Sequence, residues 1–128
     1  MYYFVVNVLS KTGKAGKIWI DIKAELDRQN VEYKYYMTSA RGHAKMLASK
    51  ICDNKGDVKL IVVGGDGTAN EVINGMHDFD RVKFGYIPTG SGNDLARGLG
   101  INKIKPLEQL NNILQSEDVM LMDLGELT

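Results

Sequence analysis

The chain has 128 residues, of which 44% are hydrophobic and 25% charged, and its 16 basic side chains balance 16 acidic ones. This length and composition predict one globular domain with a single core. The formal charge of zero argues against a nucleic-acid partner, and the apolar runs are far too short to span a membrane. The lone Cys52 forms no internal disulfide. The first residues carry no signal-peptide pattern, so we expect a cytoplasmic protein.

Strand-like and helix-like patterns alternate along the chain. Alternating or continuous apolar residues predict strands at 2–8, 31–37, 58–63, 83–87 and 119–124. Apolar residues at helical spacing predict helices around 18–26, 44–51, 68–76, 91–98 and 107–114. This alternation predicts a mostly parallel sheet with helices on both faces, which is a three-layer α/β/α fold. In such folds, ligands bind outside the carboxyl ends of the strands.

The most informative segment follows the third predicted strand, where residues 64–68 are Gly-Gly-Asp-Gly-Thr. Glycines let the backbone approach a ligand closely, and the helix that begins near Thr68 offers unpaired N–H groups to a phosphate. Asp66 would repel that phosphate unless a metal ion or a transferable proton lay between them. The segment therefore indicates a nucleotide phosphate with Mg²⁺, or general-base chemistry.

A second glycine-rich segment, residues 88–97, follows the fourth predicted strand and opens another helix. Ser91, Asn93 and Asp94 are common helix-capping residues, so a capped turn also explains this segment when it is taken alone. Two other phosphate-binding motifs fail on spacing. Neither segment has glycines at dinucleotide-binding spacing, and residues 13–17 place two residues, not four, between the glycines of a Walker loop.

Together, the two segments resemble the diacylglycerol kinase catalytic domain family, which includes bacterial lipid kinases and sphingosine kinases. Residues 64–72 are similar to the GGDGTxNEV signature of that family. Residues 88–97 are similar to its PxGTGNDxAR signature, with Ser91 where threonine is usual. The second signature favours a lipid kinase, because NAD kinases and phosphofructokinases share the GGDGT motif.

Two further positions match the family outside these signatures. Residues 7–11 occupy the place of its NPxSG loop, with Val8 for proline and Lys11 for glycine. Thr38 follows the second predicted strand and matches the nucleotide-contacting threonine of the family. The resemblance therefore extends in order from residue 7 to residue 97.

The resemblance implies that ATP lies across these segments and that its γ-phosphoryl group passes to a lipid hydroxyl. Asp66 is the predicted catalytic residue, either as acceptor of the substrate proton or as a ligand of Mg²⁺ through water; its structural alternative is a capped turn. Glu71 is alternatively a partner of its own helix dipole. The predicted ATP-binding residues are Asn7, Ser10, Lys11, Thr38, Gly64, Gly65, Asp66, Gly67, Thr68, Asn70, Glu71, Gly90, Ser91, Gly92 and Asn93.

The resemblance also implies an NAD kinase- or phosphofructokinase-like architecture, with the nucleotide cleft between this α/β domain and a second, β-rich domain. Residues 1–128 are then the N-terminal nucleotide-binding domain, and the β-rich domain lies outside this chain. We expect the chain alone to be inactive and to bind ATP at about millimolar affinity. From the family alone we expect a diacylglycerol-like substrate and peripheral contact with the inner face of the membrane. The surface that would face the second domain is expected to be apolar, which favours a homodimer.

The sequence leaves two other functions open. The chain is alternatively a nucleotide-binding or interaction module that performs no chemistry. It is also compatible with an NAD kinase-like enzyme, although that interpretation leaves residues 88–97 unexplained.

Overall fold

The computed structural model of the protein describes residues 1–9, 13–38, 40–90, 94–101 and 103–115. Strands and helices alternate along this part of the chain. The strands are β1 (Tyr2–Val6), β2 (Tyr33–Met37), β3 (Val58–Gly64) and β4 (Val82–Pro88). The helices are α1 (Lys14–Arg28), α2 (His43–Cys52), α3 (Asp66–Gly75), α4 (Asp94–Gly98) and α5 (Pro106–Gln115).

The four described strands form one sheet in the order β2-β1-β3-β4, and all three pairings are parallel. Tyr2 of β1 is in register with Tyr33 of β2 and with Lys59 of β3. The chain thus runs from β1 to one neighbouring strand, then returns to the other side of β1 for β3. A parallel sheet in which the strand order reverses in this way opens a crevice at the carboxyl ends of the two central strands.

Helices cover both faces of the sheet because the central strands are apolar on both faces. On one face, α2 and α3 pack over Val5, Val62, Phe84 and their neighbours. On the other face, α1 and α5 pack over Phe4, Ile61 and their neighbours. The predicted three-layer α/β/α fold with a parallel sheet is confirmed.

Two strand boundaries differ from the predicted ones where the chain turns. β1 ends before Asn7, because the Asn7 Oδ1 atom accepts the N–H of Leu9 at 2.9 Å and turns the backbone. β2 begins at Tyr33 rather than at residue 31, because the Val31 N–H donates to the carbonyl of Leu26 at 3.0 Å and still belongs to the end of α1. Side-chain and helix-end hydrogen bonds therefore set both boundaries.

The start of α3 also differs, since the helix begins at Asp66 and not near Thr68. The Ala69 N–H donates to the carbonyl of Gly65 at 3.1 Å, so the first helical turn includes the third glycine of the segment. α4 begins at Asp94 in the described residues. The predicted helical residues 91–93 and the predicted strand 119–124 lie outside them.

The helices α2 and α3 approach each other closely at Gly75. A Cβ atom at this position would lie 2.2 Å from the carbonyl oxygen of Lys45 in α2. Because that neighbour is a backbone atom of a helix, it cannot swing away as a side chain would. The absence of a side chain at Gly75 therefore sets the distance between the two helices.

Among the residues that the structure describes, no helix is long and apolar enough to cross a membrane.

Candidate functional site

The carboxyl edge of the sheet brings three of the predicted segments together. Asn7 follows β1, Thr38 follows β2, and residues 64–68 end β3 and begin α3. The ladder continues past the strand ends, because the Asn7 N–H donates to Val63 at 2.9 Å and the Thr38 N–H donates to Val6 at 2.8 Å. The three segments are therefore held side by side by backbone hydrogen bonds.

A cleft of about 250 Å³ opens at this edge. Five of its lining residues were predicted to bind ATP: Asn7, Thr38, Gly67, Thr68 and Glu71. They come from the ends of β1 and β2 and from the first turns of α3. The cleft thus lies at the reversal of strand order, where ligands of open α/β sheets bind.

The side chain of Asn7 connects two of the segments that line the cleft. Its Nδ2 atom donates to the Thr68 hydroxyl at 2.9 Å, and its Oδ1 atom accepts the Leu9 N–H. The Thr68 side chain is buried. The side chain of Asn7 therefore couples the end of β1 to the first turn of α3.

Asp66 is held by two donors from distant parts of the chain. The Tyr86 hydroxyl donates to Asp66 Oδ1 at 2.9 Å, and the Leu95 N–H of α4 donates to Asp66 Oδ2 at 2.9 Å. Burial, with the hydrogen bond to Asp66, raises the pKa of Tyr86 far above its ordinary value, so the phenol keeps its proton and remains a donor. These bonds link α3 to β4 and α4, and they are not the local bonds of a capped turn.

Glu71 reaches the start of a neighbouring helix. Its Oε1 atom accepts the N–H of Gly42 at 2.7 Å, and Gly42 precedes α2 with a φ angle of 86°. Gly42 has no side chain with which to cap α2, so a carboxylate from α3 meets the positive end of that helix instead. Glu71 therefore acts on the dipole of α2, and it also lines the cleft.

The described residues could hold a magnesium ion through a single carboxylate, but not in a cage of protein ligands. No group of three His, Cys, Asp or Glu residues gathers among them, so they form no all-protein metal cage. Mg²⁺ in nucleotide sites keeps several waters and is held by one or two carboxylates with the phosphates. Each oxygen of Asp66 accepts one protein hydrogen bond and retains further acceptor capacity. Asp66 therefore fits an ion that it contacts through water.

Several predicted residues lie away from the cleft or outside the description. Asn70 is exposed on α3 and does not line the cleft. Gly64 ends β3, Gly65 lies between β3 and α3, and Asp66 begins α3; none of the three lines the cleft. Residues outside the described part of the chain are Ser10, Lys11, Ser91, Gly92 and Asn93. Gly90 is described at the start of the second glycine-rich segment.

The cleft also has lining residues that the sequence did not single out, namely Leu9, Ala40, Arg41 and Ala44. Arg41 is the most informative of these because it brings a positive charge to the site. The signal in the sequence was a basic residue directly before Gly42 and the predicted second helix, after a strand. That pattern places a cation at the carboxyl edge of the sheet.

Comparison with known proteins identifies the family of this chain and supports its fold. The model of the diacylglycerol kinase catalytic domain matches residues 1–127, and the chain therefore belongs to this family. The protein named "Putative lipid kinase YtlR" from Bacillus subtilis (strain 168) is 33% identical over 114 residues, which are 88% of this chain and 37% of that protein. A diacylglycerol kinase of Staphylococcus aureus (strain JH9) is 36% identical over 102 residues, which are 79% of this chain and 30% of that enzyme. The chain thus spans about a third of the length of these relatives.

A solved structure supports the fold independently. The crystal structure of a diacylglycerol kinase from Bacillus anthracis str. Sterne superimposes with a TM-score of 0.64 at 20% sequence identity. The match covers 91% of this chain and 42% of that chain. The fold of this chain is therefore shared with that structure.

Proposed function

We propose that this chain is the ATP-binding domain of a diacylglycerol kinase-like lipid kinase, which transfers the γ-phosphoryl group of ATP to a lipid hydroxyl. The observation that carries the proposal is the cleft at the carboxyl edge. The family resemblance implies that residues from separate segments of the chain bind ATP. Four of them line this one cleft, namely Thr38, Gly67, Thr68 and Glu71. Family membership over residues 1–127 supports the same conclusion.

The first turn of α3 supplies the phosphate-binding groups in this proposal. Gly65 precedes α3 and gives it no side-chain cap, so the first N–H groups of the helix are available to an anion. Phosphoryl transfer requires mainly positioning and neutralisation of charge. Mg²⁺, when bound, would neutralise charge on the phosphate oxygens, and Asp66 is the carboxylate that would hold it.

Arg41 adds a positive charge to the cleft. It lines the cleft together with Ala40 and Ala44, and it directly precedes Gly42 at the start of α2. An arginine at such a position pairs with phosphate oxygens through directed N–H bonds. We therefore infer that ATP phosphates lie between Arg41 and the start of α3.

Further parts of the proposal concern groups outside the described residues. A second, β-rich domain supplies the other wall of the nucleotide cleft and most of the lipid site, so the chain alone is inactive. The lipid is diacylglycerol-like, and the enzyme meets it from the cytoplasm at the membrane surface. The uncovered wall of the cleft favours a homodimer of the isolated chain.

Titration of the 128-residue chain with Mg²⁺-ATP, followed by amide NMR, tests the nucleotide site. We expect shifts at Leu9, Thr38, Arg41 and Gly67, with a dissociation constant of about 1 mM. Replacing Arg41 by alanine should weaken binding about fivefold, which corresponds to the loss of about 1 kcal/mol.

Lys50→Ala provides the matched control. Lys50 is an exposed cation near the other end of α2, outside the cleft, so its removal changes the net charge equally. We expect ATP affinity to be unchanged in this variant. Equal weakening by both substitutions, or shifts that avoid the cleft, would contradict the proposed site.

A further inference from the structure

Hydrogen bonds between described residues join the end of β3 and the start of α3 to the end of β4 and to α4. The Thr89 N–H donates to the carbonyl of Gly64 at 3.0 Å and extends the ladder by one step. Two further bonds are those of the Asp66 carboxylate with the Tyr86 hydroxyl and the Leu95 N–H. The first bond comes from the ladder itself, whereas the second and third depend on one side chain.

The two donors to Asp66 lie on opposite sides of the second turn. Tyr86 is near the end of β4, before the turn, and Leu95 is in α4, after it. One carboxylate therefore bridges both ends of the turn and fastens them to the start of α3. Alanine would remove both acceptors, whereas asparagine could still bond both partners, with its oxygen accepting the Leu95 N–H and its nitrogen donating to the Tyr86 hydroxyl.

Core packing holds the Tyr86 ring independently of the hydrogen bond that its hydroxyl makes to Asp66. The residue is 2% exposed and packs in the core beneath α3, with its ring 6.4 Å from that of Phe84. The backbone carbonyl of Tyr86 accepts a hydrogen bond from the Nε2 atom of Gln109 at 3.1 Å, and this bond connects β4 to α5. The packing of the ring therefore holds the hydroxyl at one position beside Asp66.

Packing alone does not require that hydroxyl. Phenylalanine would fill the same core volume, and burying a hydroxyl is costly unless it has a partner. Asp66 is the partner that the structure shows for it. We propose that Tyr86 is a positioning residue, whose hydroxyl orients the Asp66 carboxylate and thereby holds the start of α3, which lines the cleft, at a fixed place relative to β4 and α4. The inference rests on the proposed function in so far as that cleft takes Mg²⁺-ATP.

Tyr86→Phe is the direct test, and Tyr3→Phe is its matched control. Tyr3 is also a buried tyrosine of the same core, but it lies on β1 and not at Asp66. We expect Tyr86→Phe to raise the dissociation constant for Mg²⁺-ATP about fivefold and to speed hydrogen exchange at the Leu95 amide about fivefold. Tyr3→Phe should change neither quantity.

A double-substitution cycle shows whether Tyr86 acts through Asp66. Asp66→Ala should itself weaken Mg²⁺-ATP binding, and in that background Tyr86→Phe should cause no further loss of affinity, because the alanine has no group to bond the hydroxyl. Additive losses would overturn the positioning role, because they would show that Tyr86 acts on the nucleotide independently of Asp66.

The two readouts separate this inference from the proposed function. Exchange at Leu95 needs no nucleotide, so unchanged exchange in Tyr86→Phe overturns the inference whether or not ATP binds. Faster exchange with unchanged ATP affinity, in a protein whose parent binds ATP, also overturns it. A longer protein that contains this chain without substitutions should bind Mg²⁺-ATP. If it does not, the proposed function fails. The link between Tyr86, Asp66 and Leu95 is then judged by exchange alone.

Discussion

The two ends of the sheet each use one charged side chain to join several elements, but with different results. At the amino edge, Arg81 donates to the side chain of Asp78 and to the carbonyls of Cys52, Asn54 and Gly56 at 2.6–2.8 Å. At the carboxyl edge, Asp66 accepts from Tyr86 and Leu95, as described above. Both side chains link helices to β4.

The two charged side chains differ in how much of their hydrogen-bonding capacity goes to the described parts of the protein. Arg81 has five N–H donors and makes four hydrogen bonds with them, mostly to carbonyls at the end of α2 and in the loop after it. Asp66 keeps acceptor capacity at the edge where Thr68 and Glu71 line a cleft. A charged residue that ties elements together is therefore no sign of function by itself. Its place at the carboxyl edge, next to a residue that lines the cleft, is the informative feature.

Separating α2 from α3 should disturb both edges at once and gives the largest expected effect. α2 meets Glu71 at its start and Arg81 at its end. In Gly75→Ala, the new Cβ would collide with the backbone of Lys45, and we expect a loss of about 3 kcal/mol in the free energy of unfolding, measured with urea. Gly98→Ala is the control, since a Cβ there meets no atom within 4 Å. Equal stability of the two variants would show that the helices separate without cost.

Removing Arg81 should break the amino edge alone. Arg81→Met keeps most of the aliphatic stem but leaves the carbonyls of Cys52, Asn54 and Gly56 without this donor, so we expect a loss of about 2 kcal/mol in urea unfolding. Lys55→Met removes the same charge from an exposed position in that loop and should be neutral.

The same Arg81 variant sharpens the contrast between the edges. At temperatures where it stays folded, its affinity for Mg²⁺-ATP should equal that of the parent chain. A weakened affinity would mean that the amino edge contributes to the proposed nucleotide site.

Glu71 offers the smallest of these effects, at the carboxyl edge. Glu71→Ala leaves the Gly42 N–H without its acceptor at the start of α2, and we expect a loss of about 1 kcal/mol. Glu71→Gln retains an acceptor oxygen and should lose only a few tenths of a kcal/mol. Urea unfolding measures both. If the two variants lost the same stability, the charge of Glu71 rather than its hydrogen bond would support α2.

Local patterns predicted the larger part of the fold. The continuous apolar run of β3 predicted a strand buried on both faces, and Leu60, Ile61, Val62 and Val63 are fully buried. The glycine-rich turn after β3 predicted the carboxyl edge as the site, and the cleft lies there. The strand prediction succeeded because hydrophobic periodicity depends on neighbouring residues alone, whereas the use of this cleft by a nucleotide stays a prediction.

The partners of individual polar side chains did not follow from such patterns. Glu71 was predicted to bind ATP or, alternatively, to act on its own helix dipole, and neither interpretation included the hydrogen bond that it accepts from Gly42, 29 residues away. Arg41 drew no attention in the sequence, although it lines the cleft. Both contacts depend on how α2 lies beside α3, which the close approach at Gly75 fixes.

The sequence by itself determined the alternation of strands and helices, the parallel sheet and the family, since each follows from residues close together along the chain. Only the tertiary structure decided the strand order β2-β1-β3-β4 and the contacts that it creates. The hydrogen bonds of Asp66 to Tyr86 and Leu95 span 20 and 29 residues. Such bonds exist only after the sheet and its helices have brought distant segments within reach, and no local pattern encodes that distance.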